Sequence, residues 1–237
     1  MHTILVTGAT SGIGRAMAIT LQAAGYAVIA TGRKTEALAS LAAEAPEIET
    51  LALDLSDRDA VTRALSGHRI DVLINNAGMM PTPGRFDTMA QDEIDRTFDV
   101  NLTNVLFLTR LLVPGMKARG AGHVIFTGSS AAHAPGAGFA AYAASKAGIA
   151  AFATALRAEL SPNGIRVTEL VPGRVETGLY AGVLGAEERD AMYGDGNSLQ
   201  PQDIADVVLA LLKLPARADV TRVDLMPTRP VPPIKLK

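Results

Sequence analysis

The strongest constraint on this chain is an alternation: short, apolar, β-branched runs are separated by longer segments of helical spacing along nearly its whole length. The runs are Thr3–Thr7, Ala27–Thr31, Glu49–Asp54, Asp71–Asn75, His123–Thr127, Arg166–Val171 and Arg222–Met226. Between them, apolar positions recur every three or four residues over Ile13–Ala24, Thr35–Ala45, Arg58–Leu65, Gln91–Lys117, Tyr142–Leu160 and Gln202–Lys213, which is the period of an amphipathic helix. Strand and helix in turn imply parallel strands joined by right-handed crossovers. Because the runs are apolar almost throughout, both faces of the sheet are expected to be covered. The prediction is an α/β, doubly wound, mostly parallel seven-stranded sheet flanked by helices, forming one domain over residues 1–237.

Punctuation supports these boundaries. Gly25 is placed to end the first helix, Ser56 and Asp57 to cap the third, and Ser161-Pro162-Asn163-Gly164 to stop Tyr142–Leu160. The stretch 172–201 has little obvious regular structure, and a loop that long is expected to be a functional cover. A proline-rich tail, 227–237, prefers an extended conformation.

Composition narrows the chemistry. With 22 Lys plus Arg against 24 Asp plus Glu, the formal charge is -2, so no basic footprint for nucleic acid is present. There is no cysteine, which excludes disulfides, thiolate metal sites and a cysteine nucleophile. The histidines His2, His68, His123 and His133 have no helical ligand spacing, so no metal is expected. No run approaches the ~20 apolar residues of a membrane span and no basic segment precedes the first apolar run, so the expected location is the cytoplasm.

Directly after the first strand comes Thr7-Gly8-Ala9-Thr10-Ser11-Gly12-Ile13-Gly14-Arg15. Glycines there permit positive φ and let backbone N–H groups approach a pyrophosphate at a helix N-terminus, where the dipole favours an anion. The second strand then runs into Gly32-Arg33-Lys34 without an acid at its end. An acid at that place holds the ribose hydroxyls of NAD, whereas a base accommodates the 2′-phosphate of NADP. Arg33 therefore favours NADP(H) over NAD(H), unless Arg33 and Lys34 are simply a solvated helix start.

The spacing Gly-x-x-x-Gly-x-Gly resembles that of the short-chain dehydrogenase/reductase family. Four further pieces match in order: Asp54-Leu55, Asn75-Asn76-Ala77-Gly78, Ser129 with Tyr142-Ala-Ala-Ser-Lys146, and Pro172-Gly173. The resemblance implies a Rossmann-like fold and an oxidoreductase that interconverts an alcohol and a ketone or aldehyde by hydride transfer. It implies a cofactor site of Gly8, Thr10, Ser11, Gly12, Ile13 and Gly14 at the turn, with Asp54 and Leu55 at the adenine. Asn76, Ala77, Gly78, Pro172, Gly173, Val175 and Thr177 are implied for the nicotinamide half, and Tyr142 and Lys146 would touch the cofactor as well. Asn75 is read either with that group or as a structural tie between strands. By the same resemblance the protein is a homodimer or homotetramer acting on a small carbonyl or alcohol.

The implied catalytic set is Asn101, Ser129, Tyr142 and Lys146. Tyr142 and Lys146 are four apart on a helix and so share a face. Ser129 follows a strand end, at the sheet edge where ligands bind, and stands thirteen residues before Tyr142, a spacing that selects it over Ser130. An unperturbed tyrosine has a pKa of about 10, so a nearby cation, Lys146 or an oxidised nicotinamide, is expected to lower it. The serine would orient the substrate oxygen. Asn101 resembles a helix-bending residue that links the lysine to a proton relay.

Substrate-pocket candidates are Met79, Met80, Ala131, His133, Phe139, Arg174 and Tyr180, with Gly178–Asn197 as cover. The ending Val223-Asp-Leu-Met-Pro-Thr228 is similar to that of family members acting on 3-hydroxy acids. Two alternatives stay open at this point: a dinucleotide-binding regulator without catalysis, and an epimerase or dehydratase.

Overall fold

A computed structural model of the chain describes residues 2–193 and 198–229. Seven parallel strands form one sheet: β1 (Thr3–Thr7), β2 (Ala27–Gly32), β3 (Glu49–Ala52), β4 (Val72–Asn75), β5 (Gly122–Thr127), β6 (Ile165–Pro172) and β7 (Arg222–Leu225). Their spatial order is β3-β2-β1-β4-β5-β6-β7, so the direction of winding reverses between β1 and β4, which pair in register from Ile4↔Val72 to Val6↔Ile74. In such a sheet the crevice at the carboxyl ends of these two strands is where a ligand sits.

Each strand sends successive side chains to opposite faces, and both are buried. Ile4 and Val6 of β1 join one core with Met17, Ala18 and Leu21 of α1 (Gly12–Ala23) and Ile204, Val208 and Leu211 of α9 (Pro201–Lys213). Leu5, between them, joins a second core on the other face, with Leu108 and Met116 of α5 (Asn104–Arg119) and Ile149, Ala153 and Leu156 of α7 (Ala140–Leu160). The helices α2 (Thr35–Glu44) and α3 (Arg58–Leu65) cover the sheet beside α1 and α5 respectively, through Leu41 and through Val61 and Leu65. A fully covered parallel sheet explains why the strand sequences are apolar without alternation.

The turn residues act largely as the sequence predicts. Gly25 has φ +88° just past α1, and Asp57 caps α3 by accepting a 2.9 Å bond from the Ala60 N–H. Ser56 instead donates its hydroxyl to Asp54 at 2.8 Å.

One expected element is corrected. The segment Gln91–Lys117 is not one helix: α4 (Gln91–Phe98) passes into a π-helical stretch, Asp99–Thr103, before α5 begins. The cause is Asn101, which is 1% exposed and uses its side chain to clasp the backbone of Met79 at both N–H (2.8 Å) and carbonyl (3.0 Å). That clasp draws one turn out of register, a common origin of a π-bulge at a functional place. The stretch 172–201 also carries more structure than predicted, with a single 3₁₀ turn at Gly178–Tyr180 and α8 (Ala186–Tyr193). Residues 194–197 of the cover and 230–237 of the tail lie outside the described residues.

Candidate active site

The turn after β1 is built so that backbone, not side chains, faces the crevice. Gly8 and Gly12 have φ of +66° and +53°, values that side-chain-bearing residues rarely adopt. A β-carbon at Gly14 would lie 2.3 Å from the Gly8 carbonyl oxygen and 2.5 Å from the Asn76 amide, so the helix closes against the turn only because residue 14 is glycine. Asn76 ties this turn to the rest of the edge. Its amide donates to the Thr7 carbonyl at 3.0 Å, and it accepts from the Thr127 hydroxyl at 3.3 Å. The Asn75 backbone pairs with Phe126 of β5, while its side-chain amide donates at 3.2 Å to Thr109 of α5.

A cavity of about 1100 Å³ runs along this edge. At one end its wall holds Arg33, Lys34, Asp54 and Leu55; in the middle Gly8, Thr10, Ser11, Gly12 and Ile13; at the other end Asn76, Ala77, Gly78, Ser129, Tyr142 and Lys146. Pro172, Gly173, Val175 and Thr177 complete it on the β6 side. Two of the cofactor and catalytic candidates are not in the wall. Gly14 lies behind Gly8, and Asn101 lies behind Gly78, whose β-carbon position is 3.3 Å from the asparagine oxygen and 3.6 Å from the Lys146 ammonium.

The catalytic candidates converge from three elements. Ser129 follows β5 and caps the short helix α6 (Ser130–His133), its hydroxyl accepting from the Ala131 N–H at 3.1 Å. Tyr142 and Lys146 stand on α7, where the ammonium lies 5.9 Å from the Tyr142 ring centroid and donates to the Thr127 carbonyl at 2.8 Å. Burial pushes the Tyr142 hydroxyl above its ordinary range, with its bond to Ser129 pulling the other way. Among the protein's own groups desolvation outweighs the support that neighbours give the phenolate, so the net direction is upward. Burial also brings Lys146 down to about 8, against the upward pull of the Glu169 carboxylate.

Glu169 is the residue that sequence reading missed. It is 4% exposed on β6, and His133 meets its carboxylate at 3.0 Å. The signal was available: an acid next to Leu170 and Val171 in a strand expected to be covered on both faces needs a partner. His133, assigned above to the substrate pocket, turns to Glu169 instead and is not part of the cavity wall, whereas Met79, Met80, Ala131, Phe139, Arg174 and Tyr180 are.

A doubly wound sheet with a glycine turn and a long crevice at its switch point defines a nucleotide-binding α/β protein. The sequence model described as short chain dehydrogenase matches residues 2–187. An uncharacterised short-chain type dehydrogenase/reductase of Sinorhizobium fredii is 43% identical over 94% of this chain and 90% of its own length. Sulfoacetaldehyde reductase 2 of Chromohalobacter salexigens is 35% identical over 95% and 94%. The closed form of a serine dehydrogenase complexed with NADP+ superposes with a TM-score of 0.91 at 30% identity, covering 99% of both chains. This chain belongs to the short-chain dehydrogenase/reductase family, and it is an oxidoreductase acting on CH–OH groups. No helix among the described residues is long and apolar enough to cross a membrane.

Proposed function

We propose that the protein interconverts a small hydroxy compound and its carbonyl partner using NADP(H), with Tyr142 as proton donor and acceptor. The observation that carries this reading is the meeting of Ser129, Tyr142 and Lys146 at one end of a cavity whose other end presents Arg33.

The residues present fit such a cofactor. The backbone of Gly8 and Gly12 leaves room for a pyrophosphate, and Arg33 and Asp54 flank the place of the adenosine. A β-carbon at Gly32 would stand 2.3 Å from the Thr10 methyl, so a carboxylate at that position would have to displace Thr10. When bound, the cofactor supplies or accepts the hydride. The chain handles the proton. In reduction, the Tyr142 hydroxyl gives its proton to the substrate oxygen, while Ser129 donates a hydrogen bond that holds that oxygen in place. In oxidation the same tyrosine takes the proton, and the Lys146 ammonium stabilises the phenolate that results. Asn101 acts through position: it fixes the Gly78–Met79 backbone behind which the ammonium stands.

Two measurements test parts of this scheme. Arg33→Ala should weaken NADPH binding by roughly 10- to 100-fold, the range for losing hydrogen bonds to a charged group, while leaving NADH binding nearly unaltered; fluorescence titration with both nucleotides reads the difference, and equal losses would remove the phosphate role. The second concerns pH. Lys146 is protonated below about 8, so the rate should decline as pH rises through that value. Glu169→Gln removes a charge that holds the proton on, and the decline should begin at lower pH. An unmoved alkaline limb would show that Glu169 is not coupled to the lysine during turnover.

The substrate reading follows the relatives. Sulfoacetaldehyde and serine, for which two of them are named, are both small molecules bearing an acid group. The tail sequence Val223–Thr228 supports a 3-hydroxy acid or its 3-oxo partner in the same way.

A further inference from the structure

We infer that Arg174 is the anion anchor of the substrate site, pairing with the carboxylate or sulfonate of a short hydroxy or oxo acid whose reacting carbon lies beside Tyr142. The inference rests on the oxidoreductase reading above and names a residue for its substrate class.

Arg174 is the first residue beyond Pro172-Gly173 at the end of β6, and its side chain is half-buried in the wall of the cavity that also holds Ser129 and Tyr142. Its backbone is fixed, because the carbonyl accepts a 2.8 Å bond from the Leu199 N–H and the next residue, Val175, bridges Leu199. Other arginines of the chain meet acids: Arg85 meets Asp87 at 2.9 Å and Arg222 meets Asp224 at 2.7 Å. Arg174 has no carboxylate within ion-pair distance among the described residues. Partial burial of an unpaired guanidinium is unfavourable, and it draws the group's pKa downward here. An incoming anion would restore the missing partner.

The surroundings suit that role. Tyr180 and Tyr193 interact electrostatically with Arg174 and pack edge to face with ring centroids 6.5 Å apart. Tyr180 in turn interacts with Tyr142. Arg174, Tyr180 and Tyr142 line one cavity together with Ser129, so an acid group paired with Arg174 and a carbonyl beside Tyr142 can belong to one substrate. A planar guanidinium can donate two parallel hydrogen bonds to a carboxylate or sulfonate. In reduction the carbonyl carbon gains a hydride from NADPH, the oxygen gains the Tyr142 proton, and the anchored acid group leaves unchanged.

The test compares oxidation of 3-hydroxypropanoate, its methyl ester and 2-hydroxyethanesulfonate with NADP+ by the wild type, Arg174→Gln and Arg174→Lys. Arg174→Gln should lower kcat/KM for the preferred acid by about 10- to 100-fold and spare the ester, with Arg174→Lys in between and the KM for NADP+ unmoved. Which acid is preferred separates carboxylate from sulfonate. Calorimetric titration of the inert anions propanoate and ethanesulfonate into the NADP+-loaded protein gives a readout independent of turnover: one of them should bind the wild type and bind Arg174→Gln more weakly by a similar factor. Equal losses on acid and ester, a raised KM for NADP+, or neither anion binding the wild type would each overturn the anchor. A wild type that oxidises the ester as well as the acids would overturn it too while leaving Tyr142 chemistry intact, whereas full activity of a Tyr142→Phe variant would remove the underlying reading instead.

Discussion

Tyr142→Phe is expected to lower kcat by about 10²–10⁴-fold, the usual contribution of a positioned proton donor, while NADPH binds nearly as before. The change removes one oxygen and retains the ring, so the packing of this buried side chain on α7 is preserved. The hydroxyl is an unfavourable group to bury, its pKa raised by desolvation with the Ser129 bond as partial compensation. Thermal stability should therefore hold or rise slightly in the variant. This separates the two roles a buried tyrosine can have: a structural hydroxyl would reduce melting temperature and rate together, whereas a proton donor reduces rate alone. Stopped-flow or steady-state NADPH oxidation, read beside a melting curve, distinguishes them. A loss of rate below about tenfold would place the proton transfer on another group.

Gly14→Ala should act in the opposite order, on structure first. Within a helix alanine is favoured over glycine by about 1 kcal/mol, and that gain would win if the site were open. It is closed: the new methyl would stand 2.3 Å from the Gly8 carbonyl oxygen and 2.5 Å from the Asn76 amide. Neither can yield freely, since Gly8 is backbone and Asn76 is bonded to both Thr7 and Thr127. Overpacking of this kind costs roughly 1–3 kcal/mol or more, and in a chain of this size each kcal/mol lowers Tm by roughly 2–4 °C. The turn that must shift is also the one proposed to cradle the pyrophosphate, so nucleotide affinity should fall along with Tm. Gly67→Ala is the control, because a β-carbon there meets nothing within 4 Å. If Gly14→Ala melts like Gly67→Ala and binds NADPH normally, the close approach of α1 to the turn is not a constraint.

The fold was legible where periodicity and burial point the same way. Ile4, Leu5 and Val6 are all apolar because each face of β1 is buried in its own core, as in a parallel sheet covered on both sides. The site was legible because its members are tied to strand ends: Gly8, Asn76 and Ser129 follow strands of one parallel sheet and Pro172 ends another, so topology alone brings them together. What escaped was set by tertiary contacts. Nothing in the spacing of Gln91–Lys117 announces a π-helical turn, since it arises from Asn101 reaching across to Met79. Likewise, the turn of His133 away from the pocket depends on Glu169, 36 positions later. The upward pull of burial on the Tyr142 hydroxyl was likewise not legible, because the sequence shows the neighbouring cation but not the depth of burial.

The pairing of Val175 with Leu199 has a consequence for how such a chain can diversify. The segment between them leaves the sheet and returns at one pinned neck, with backbone bonds from Leu199 to Arg174 and from Glu176 to Leu199, each 2.8 Å. A loop closed at its base can change length at little expense, about 0.6 kcal/mol for a doubling, and its sequence is not read by the strands beneath. Such a segment can vary without disturbing Ser129, Tyr142 and Lys146, which stand outside it after β5 and on α7.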